Sequence, residues 1–152
     1  SNLRECRCSQ YQISNYLGRS SGPLLDRIDM HIELSEVTYT EISSKEKDET
    51  SEVVKARVNA ARNLQTSRYK GTGVYTNAQL SSAQVKKFCA IDTAGEALIE
   101  QAFSKLDISA RSYNRILKVA RTIADLEAAD TIGAQHIAQA IHFRTLDRKY
   151  WG

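Results

Sequence analysis

From Ile28 to Leu34 the chain alternates strictly, with Ile28, Met30, Ile32 and Leu34 apolar and Asp29, His31 and Glu33 polar between them. That is the period of a strand buried on one face. No second segment repeats it convincingly. A lone strand leaves its ladder groups unmet, so its partners are either weaker extended pieces or parts of a longer protein from which this chain comes. Ahead of it, Ser9 can cap a short helix through Leu17 that Gly18 ends, and Ser20-Ser21-Gly22-Pro23 turns into Leu24-Leu25-Asp26-Arg27. After it, Glu41 to Glu52 is rich in Ser, Thr, Glu and Lys without hydrophobic period, the pattern of a surface linker.

Beyond the linker every signal is helical. Helices are predicted from Ser51 to about Tyr69, Ser81 to Cys89, Asp92 to Leu106, Ser109 to about Ala129 and Gly133 to about Leu146, each opened by Ser, Asp or Gly at a plausible cap. Ala97, Ile99, Ala102, Phe103 and Leu106 on one helix, and Ile116, Val119, Ala120 and Ile123 on another, recur at helical spacing and are the expected core. The fold class that follows is mainly α: a bundle of four to five helices over 51–152, a linker at 36–50, and an N-terminal piece over 1–35 carrying one strand.

Composition narrows this picture. With 152 residues, 41% hydrophobic and 26% charged, one proline and no long apolar run, the chain fits a single core and excludes membrane-spanning and collagen-like readings. Three cysteines without an apolar leader suggest free thiols in a reducing cytoplasm. Net charge is only +3, but its distribution is uneven. Val53 to Lys70 holds five basic residues and no acid, and Ser109 to Ala124 holds four and no acid.

On a wheel of ~100° per residue, Arg111, Arg115 and Lys118 share one stripe opposite the apolar arc of their helix. Such a stripe is either a solvated basic face or a route by which Arg111, in the first turn, reaches an anion held elsewhere. On the helix from Ser51 the apolar arc holds Val53, Val54, Ala60, Ala61 and Leu64, and Arg57 and Arg68 fall inside it while Lys55 and Arg62 lie outside. Arginines there either snorkel or pair with a carboxylate such as Glu96 or Glu100, or they face a subunit interface or nucleic acid. Cys6-Arg7-Cys8 is half a zinc site at most, so no metal site is expected in this chain. Gly71 and Gly73 lack the strand before and the Lys-Ser/Thr after that a phosphate loop requires.

Three segments together resemble the C-terminal part of the magnesium-chelatase-like AAA+ ATPases, in the ComM/YifB branch. They are Cys6-Arg7-Cys8-Ser9 with Ser21-Gly22-Pro23-Leu24-Leu25-Asp26-Arg27-Ile28-Asp29, the Arg57-Val58/Ala61-Arg62/Gln65/Arg68 spacing, and the run from Ser109-Ala110-Arg111 through Asn114-Arg115 to Asp125-Leu126. The resemblance implies the end of the nucleotide domain followed by a helical lid. It makes Arg27 the candidate arginine finger toward a neighbouring subunit's ATP and Arg111 the candidate sensor 2 residue. Arg57, Arg62, Arg68 and Arg115 become candidates for nucleic-acid or interface contact. It further implies ATP and Mg²⁺ as cofactors of the full-length protein, none bound to this piece, a ring homo-oligomer expected to be a hexamer, DNA as a partner and no membrane. No G-x-x-x-x-G-K-[S/T] loop and no apolar strand ending in Asp-Glu occurs in these residues, so the chain alone is expected not to hydrolyse ATP. The alternatives are a stand-alone helical nucleic-acid-binding module and a true magnesium chelatase subunit.

Overall fold

The computed structural model describes residues 7–19, 24, 27–34, 37–43, 48–106 and 110–144. Cys6, the turn Ser20–Pro23, Leu25-Asp26, Ser109 and the helix end near Leu146 lie outside the described residues. The first helix, α1 (Gln10–Leu17), begins at Ser9 by a reciprocal cap: the Gln12 backbone N–H donates to Ser9 Oγ and the Ser9 N–H to Gln12 Oε1. A single turn, α2 (Tyr39–Ile42), follows. The helical part then runs α3 (Ser51–Arg68), a 3₁₀ turn (Asn77–Gln79), α4 (Ser82–Phe88), α5 (Thr93–Leu106), α6 (Ala110–Leu126) and α7 (Ala134–His142).

Local chemistry explains these boundaries. Thr50 caps α3, and Ser81 with Gln84 repeats the reciprocal cap at α4. The Asp92 carboxylate accepts the Gly95 N–H at 2.7 Å at the start of α5. Gly71 and Gly73, at φ 80° and 74°, let the chain leave α3 through a left-handed turn. At the end of α6 the Ala129 N–H bonds Ala124 O and the Ala128 N–H bonds Asp125 O, the two bonds of a Schellman turn. Its left-handed position is held by Ala128, at φ 54°.

Helix α6 is central: it packs against α7, α3, the 3₁₀ turn and α4, while α5 packs on α7. The core joins Tyr69, Leu80, Val85, Cys89, Ile99, Ile116, Leu117, Ala120, Ala124, Ile132, Ile137 and Ala140. An isolated parallel bridge between Ile91 and Ile132 ties the loop before α5 to the loop before α7. Ile99, Ala102, Ile116 and Ala120 are buried and Phe103, Val119 and Ile123 half-buried, but Ala97 is exposed, and Gly95 takes the buried place on that face of α5.

Two expectations need correction. The alternating segment 28–34 forms no strand among the described residues, and Ile32 and Leu34 are 66% and 88% exposed. Period-two hydrophobicity makes a strand only where a ladder partner exists, and this segment instead lies against helices. Of the apolar arc assigned to α3 only Ala61 is buried, while Val53, Val54, Ala60 and Leu64 are exposed. Residues 51–60 are all exposed, and the helix buries Ala61 and Gln65, followed by Tyr69. An 18-residue helix is ~27 Å long, and the partner α6 covers only its C-terminal half.

Replacing Ala128 by Gly should stabilise the fold by about 0.5–1 kcal/mol, because the left-handed penalty of a Cβ exceeds the entropy cost of glycine. Urea denaturation at neutral pH checks this. Burial also pushes the Cys89 thiol up from 9 to about 11. Below that window both folded and unfolded chains hold the proton. Within it the unfolded chain ionises first, so stability falls as pH rises. Tyr69, raised by burial, adds a drop of the same sign. The urea midpoint should therefore fall through this alkaline window, and Cys89→Ala should reduce the fall without abolishing it.

Candidate functional site

The N-terminal half of α6 carries Arg111, Arg115 and Lys118 on one stripe, as the wheel predicts. Lys118 Nζ donates to Ala78 O at 2.9 Å and holds the 3₁₀ turn against the helix. Arg115 Nη1 donates both to Arg27 O and to Asp29 Oδ1. Arg111 is exposed in the first turn. The segment around Arg27 is gripped again at the end of α7, where Arg144 Nη1 donates to Ile28 O at 2.6 Å and the His31 N–H donates to Phe143 O at 2.8 Å. The Arg27 side chain is exposed and makes no hydrogen bond or ion pair among the described residues.

These contacts bring the backbone of Arg27 to Arg115, one helical turn from Arg111 on the same face of α6. The exposed Arg111 side chain lies at the end of the helix whose dipole is positive, and the backbone that carries the exposed Arg27 guanidinium group is held one turn along. Such a group is suited to receive anionic oxygens, and guanidinium binds phosphoryl oxygens in pairs.

The arginines of α3 are placed otherwise. Arg57 pairs with Glu49 through two bonds of 2.8 and 2.9 Å at the surface. Arg62 Nη1 donates to Gln65 Oε1 at 3.3 Å. Arg68, expected to face a partner or to pair with Glu96 or Glu100, is instead drawn inward. Its two nitrogens donate to the fully buried Asp125 carboxylate at 2.5 and 3.0 Å, and this bond raises the Arg68 pKa against the opposing effect of burial. Asp125 also accepts from Arg121 Nε at 3.1 Å and Asn77 Nδ2 at 2.8 Å. Along α6 it lies ~21 Å from Arg111, so Arg68 serves the opposite end of the helix and is removed from the candidate contact residues. Glu96 and Glu100 line an open groove of about 570 Å³ between α5 and α6, with Ile91, Ile99, Phe103 and Tyr113.

Sequence reasoning gave no role to Asp29, Asp125 or Arg144. On the wheel Asp125 falls beside Lys118, outside the apolar arc, but it stands four residues after Arg121, and that pairing was the available signal. Arg144 offered none. Among the described residues no three His, Cys, Asp or Glu side chains could hold a metal ion. Cys8 is exposed and Cys89 buried. Buried His136 accepts the Gly133 N–H at Nδ1 (2.9 Å), which leaves Nε2–H to donate to Glu127 at 3.0 Å, a structural role at the start of α7.

A helical module that exposes arginines at the start of its central helix is the class these features define. The chain belongs to the magnesium chelatase subunit ChlI family: the model of the ChlI C-terminal region matches residues 48–144, and the ChlI model matches residues 1–42. It is similar to the uncharacterised protein YifB of Salmonella typhimurium, 39% identical over 143 residues, covering 93% of this chain and 28% of YifB. It is also similar to the competence protein ComM of Haemophilus influenzae, 37% identical over 143 residues, covering 93% of this chain and 27% of ComM. The chain thus spans a little over a quarter of the length of these curated relatives.

The two α3 pairs should separate cleanly on mutation. Arg68→Ala removes two of the four hydrogen bonds that reach the buried Asp125 carboxylate and should cost about 2–3 kcal/mol. Arg57→Ala breaks only a surface pair and should cost under about 1 kcal/mol. Equilibrium unfolding of both variants beside the parent chain measures the difference, and equal costs would contradict the placement of Arg68.

Proposed function

We propose that this chain is the lid and finger-bearing portion of an AAA+ ATPase that uses ATP hydrolysis to remodel or process DNA. In this reading Arg27 reaches the ATP of a neighbouring subunit in a ring, expected to be a hexamer, and neutralises charge growing on the transferring phosphoryl group. Arg111 acts as sensor 2: it meets the γ-phosphate from the first turn of α6 and makes the lid position depend on whether that phosphate is present. The observation that carries the reading is the outward Arg27 side chain on a backbone held by Arg115, one turn from Arg111. The competence name of the Haemophilus relative supports DNA as the substrate.

Exposed arginines suit phosphate oxygens, and among the described residues no group of three His, Cys, Asp or Glu side chains could hold Mg²⁺. The reading therefore gives the metal, and the activation of water, to the rest of the longer protein. What this chain supplies is charge and positioning.

A second reading has its own observation. The exposed half of α3 presents Lys55 and Arg57 beyond the helical body, with Arg62 and Lys70 further along, which would suit a phosphate backbone without any nucleotide. Binding of that kind to duplex DNA would show a log–log salt slope of about −0.9 per phosphate contacted.

The purified chain is expected to show no ATP turnover. In the full-length protein Arg27→Ala should lower DNA-stimulated ATPase by ~10³ while ATP binding is retained. Turnover by the isolated chain, or an unaffected Arg27→Ala variant, would contradict the finger assignment.

A further inference from the structure

Arg27 belongs to the stretch matched by the ChlI model over residues 1–42, whereas the groups that hold its backbone belong to the C-terminal match over residues 48–144. Arg115 of α6 takes Arg27 O, Arg144 at the end of α7 takes Ile28 O, and Phe143 O receives the His31 N–H. Asp29 adds a side-chain pair to Arg115. The strap over 27–31 is thus pinned by two helices of the lid, and three of its four bonds use strap backbone atoms. Its position follows the lid whatever side chains it carries. Beyond His31 the chain turns outward, with Ile32 and Leu34 largely exposed.

We propose that Arg115 and Arg144 are positioning residues that make residues 27–31 move with the helical lid. Arg27 is then carried by the same body whose Arg111 senses nucleotide, and a lid displaced at one ATP shifts the finger offered to the next. This coupling between adjacent sites rests on the finger reading above; the mechanical attachment of the strap does not. Rigid-body movement of a packed element is a common way to carry such a signal, and here the rigid link is two guanidinium groups on carbonyl oxygens. Arg115 spans two acceptors on two strap residues, which a lysine ammonium matches poorly because it is a point donor on a flexible stem.

Amide hydrogen exchange on this chain, followed by NMR, tests the attachment. The His31 amide should exchange well below the rate of an unstructured amide. Arg115→Ala, which removes two charge-assisted hydrogen bonds to the strap, should speed it at least about tenfold. The core amide of Ala120 should be unchanged, and Arg115→Lys should fall between. Arg144→Gln should act like Arg115→Ala, and if that buried change unfolds the chain the Arg115 pair still decides. An unprotected His31 amide in the parent chain, or one indifferent to Arg115→Ala, overturns the attachment. In the full-length protein Arg115→Ala should lower kcat with KM for ATP unchanged, whereas Arg27→Ala removes turnover. Should kcat survive Arg115→Ala although the strap has loosened, the coupling is overturned. If turnover survives Arg27→Ala, the finger reading falls while the exchange result stands.

Discussion

One buried carboxylate organises the helical body. Asp125 is enclosed, and four hydrogen bonds reach it: two from Arg68, one from Arg121 and one from Asn77. Left unpaired, such a charge would cost several kcal/mol; paired, it requires that α3, the 3₁₀ turn and α6 meet in one arrangement. Arg121 extends the constraint by donating to Ala129 O and Asp130 O, which closes the turn after α6. Tyr69 Oη donates to Asn77 Oδ1 at 2.6 Å and so aims the Asn77 amide at Asp125 and at Thr122. Every donor in this network has a defined acceptor, which is the condition under which a buried polar cluster specifies structure rather than weakening it.

The consequence is a division along α6. Its C-terminal half is locked by the Asp125 network, and its N-terminal half receives the strap and presents Arg111. The same residue type serves both ends, and only surroundings separate the roles. Arg68 and Arg121 are drawn inward onto a carboxylate, Arg115 holds backbone, and Arg27 is turned to solvent. A helix fixed at one end and charged at the other suits a lid in which nucleotide contact must be felt by the whole body, as the proposed function requires.

The helical part was legible because its boundaries are written locally. Ser9 with Gln12, Ser81 with Gln84, and Asp92 ahead of α5 are caps whose partners lie three residues away. What failed depended on distant partners. Alternation over 28–34 reports which residues are apolar, not whether another backbone is present to make a ladder. The partner of Arg68 lies 57 residues on, and no spacing rule chooses Asp125 over Glu96 or Glu100. The α3 arc was drawn from hydrophobicity, whereas the helix buries the polar Gln65, whose Oε1 accepts the Asn77 N–H at 3.4 Å. At the candidate site, the shared stripe of Arg111 and Arg115 was visible on the wheel. The attachment of Arg27 to that stripe was not, because it runs through backbone carbonyls that carry no sequence signal.

The most direct measurement is subunit mixing in the full-length protein. Subunits carrying Arg27→Ala are combined with subunits whose own nucleotide site has been inactivated, each nearly silent alone. A finger acting on a neighbour's ATP predicts that the mixture recovers turnover, since an intact Arg27 can then meet an intact site across a subunit boundary. A mixture as silent as its components would contradict the account.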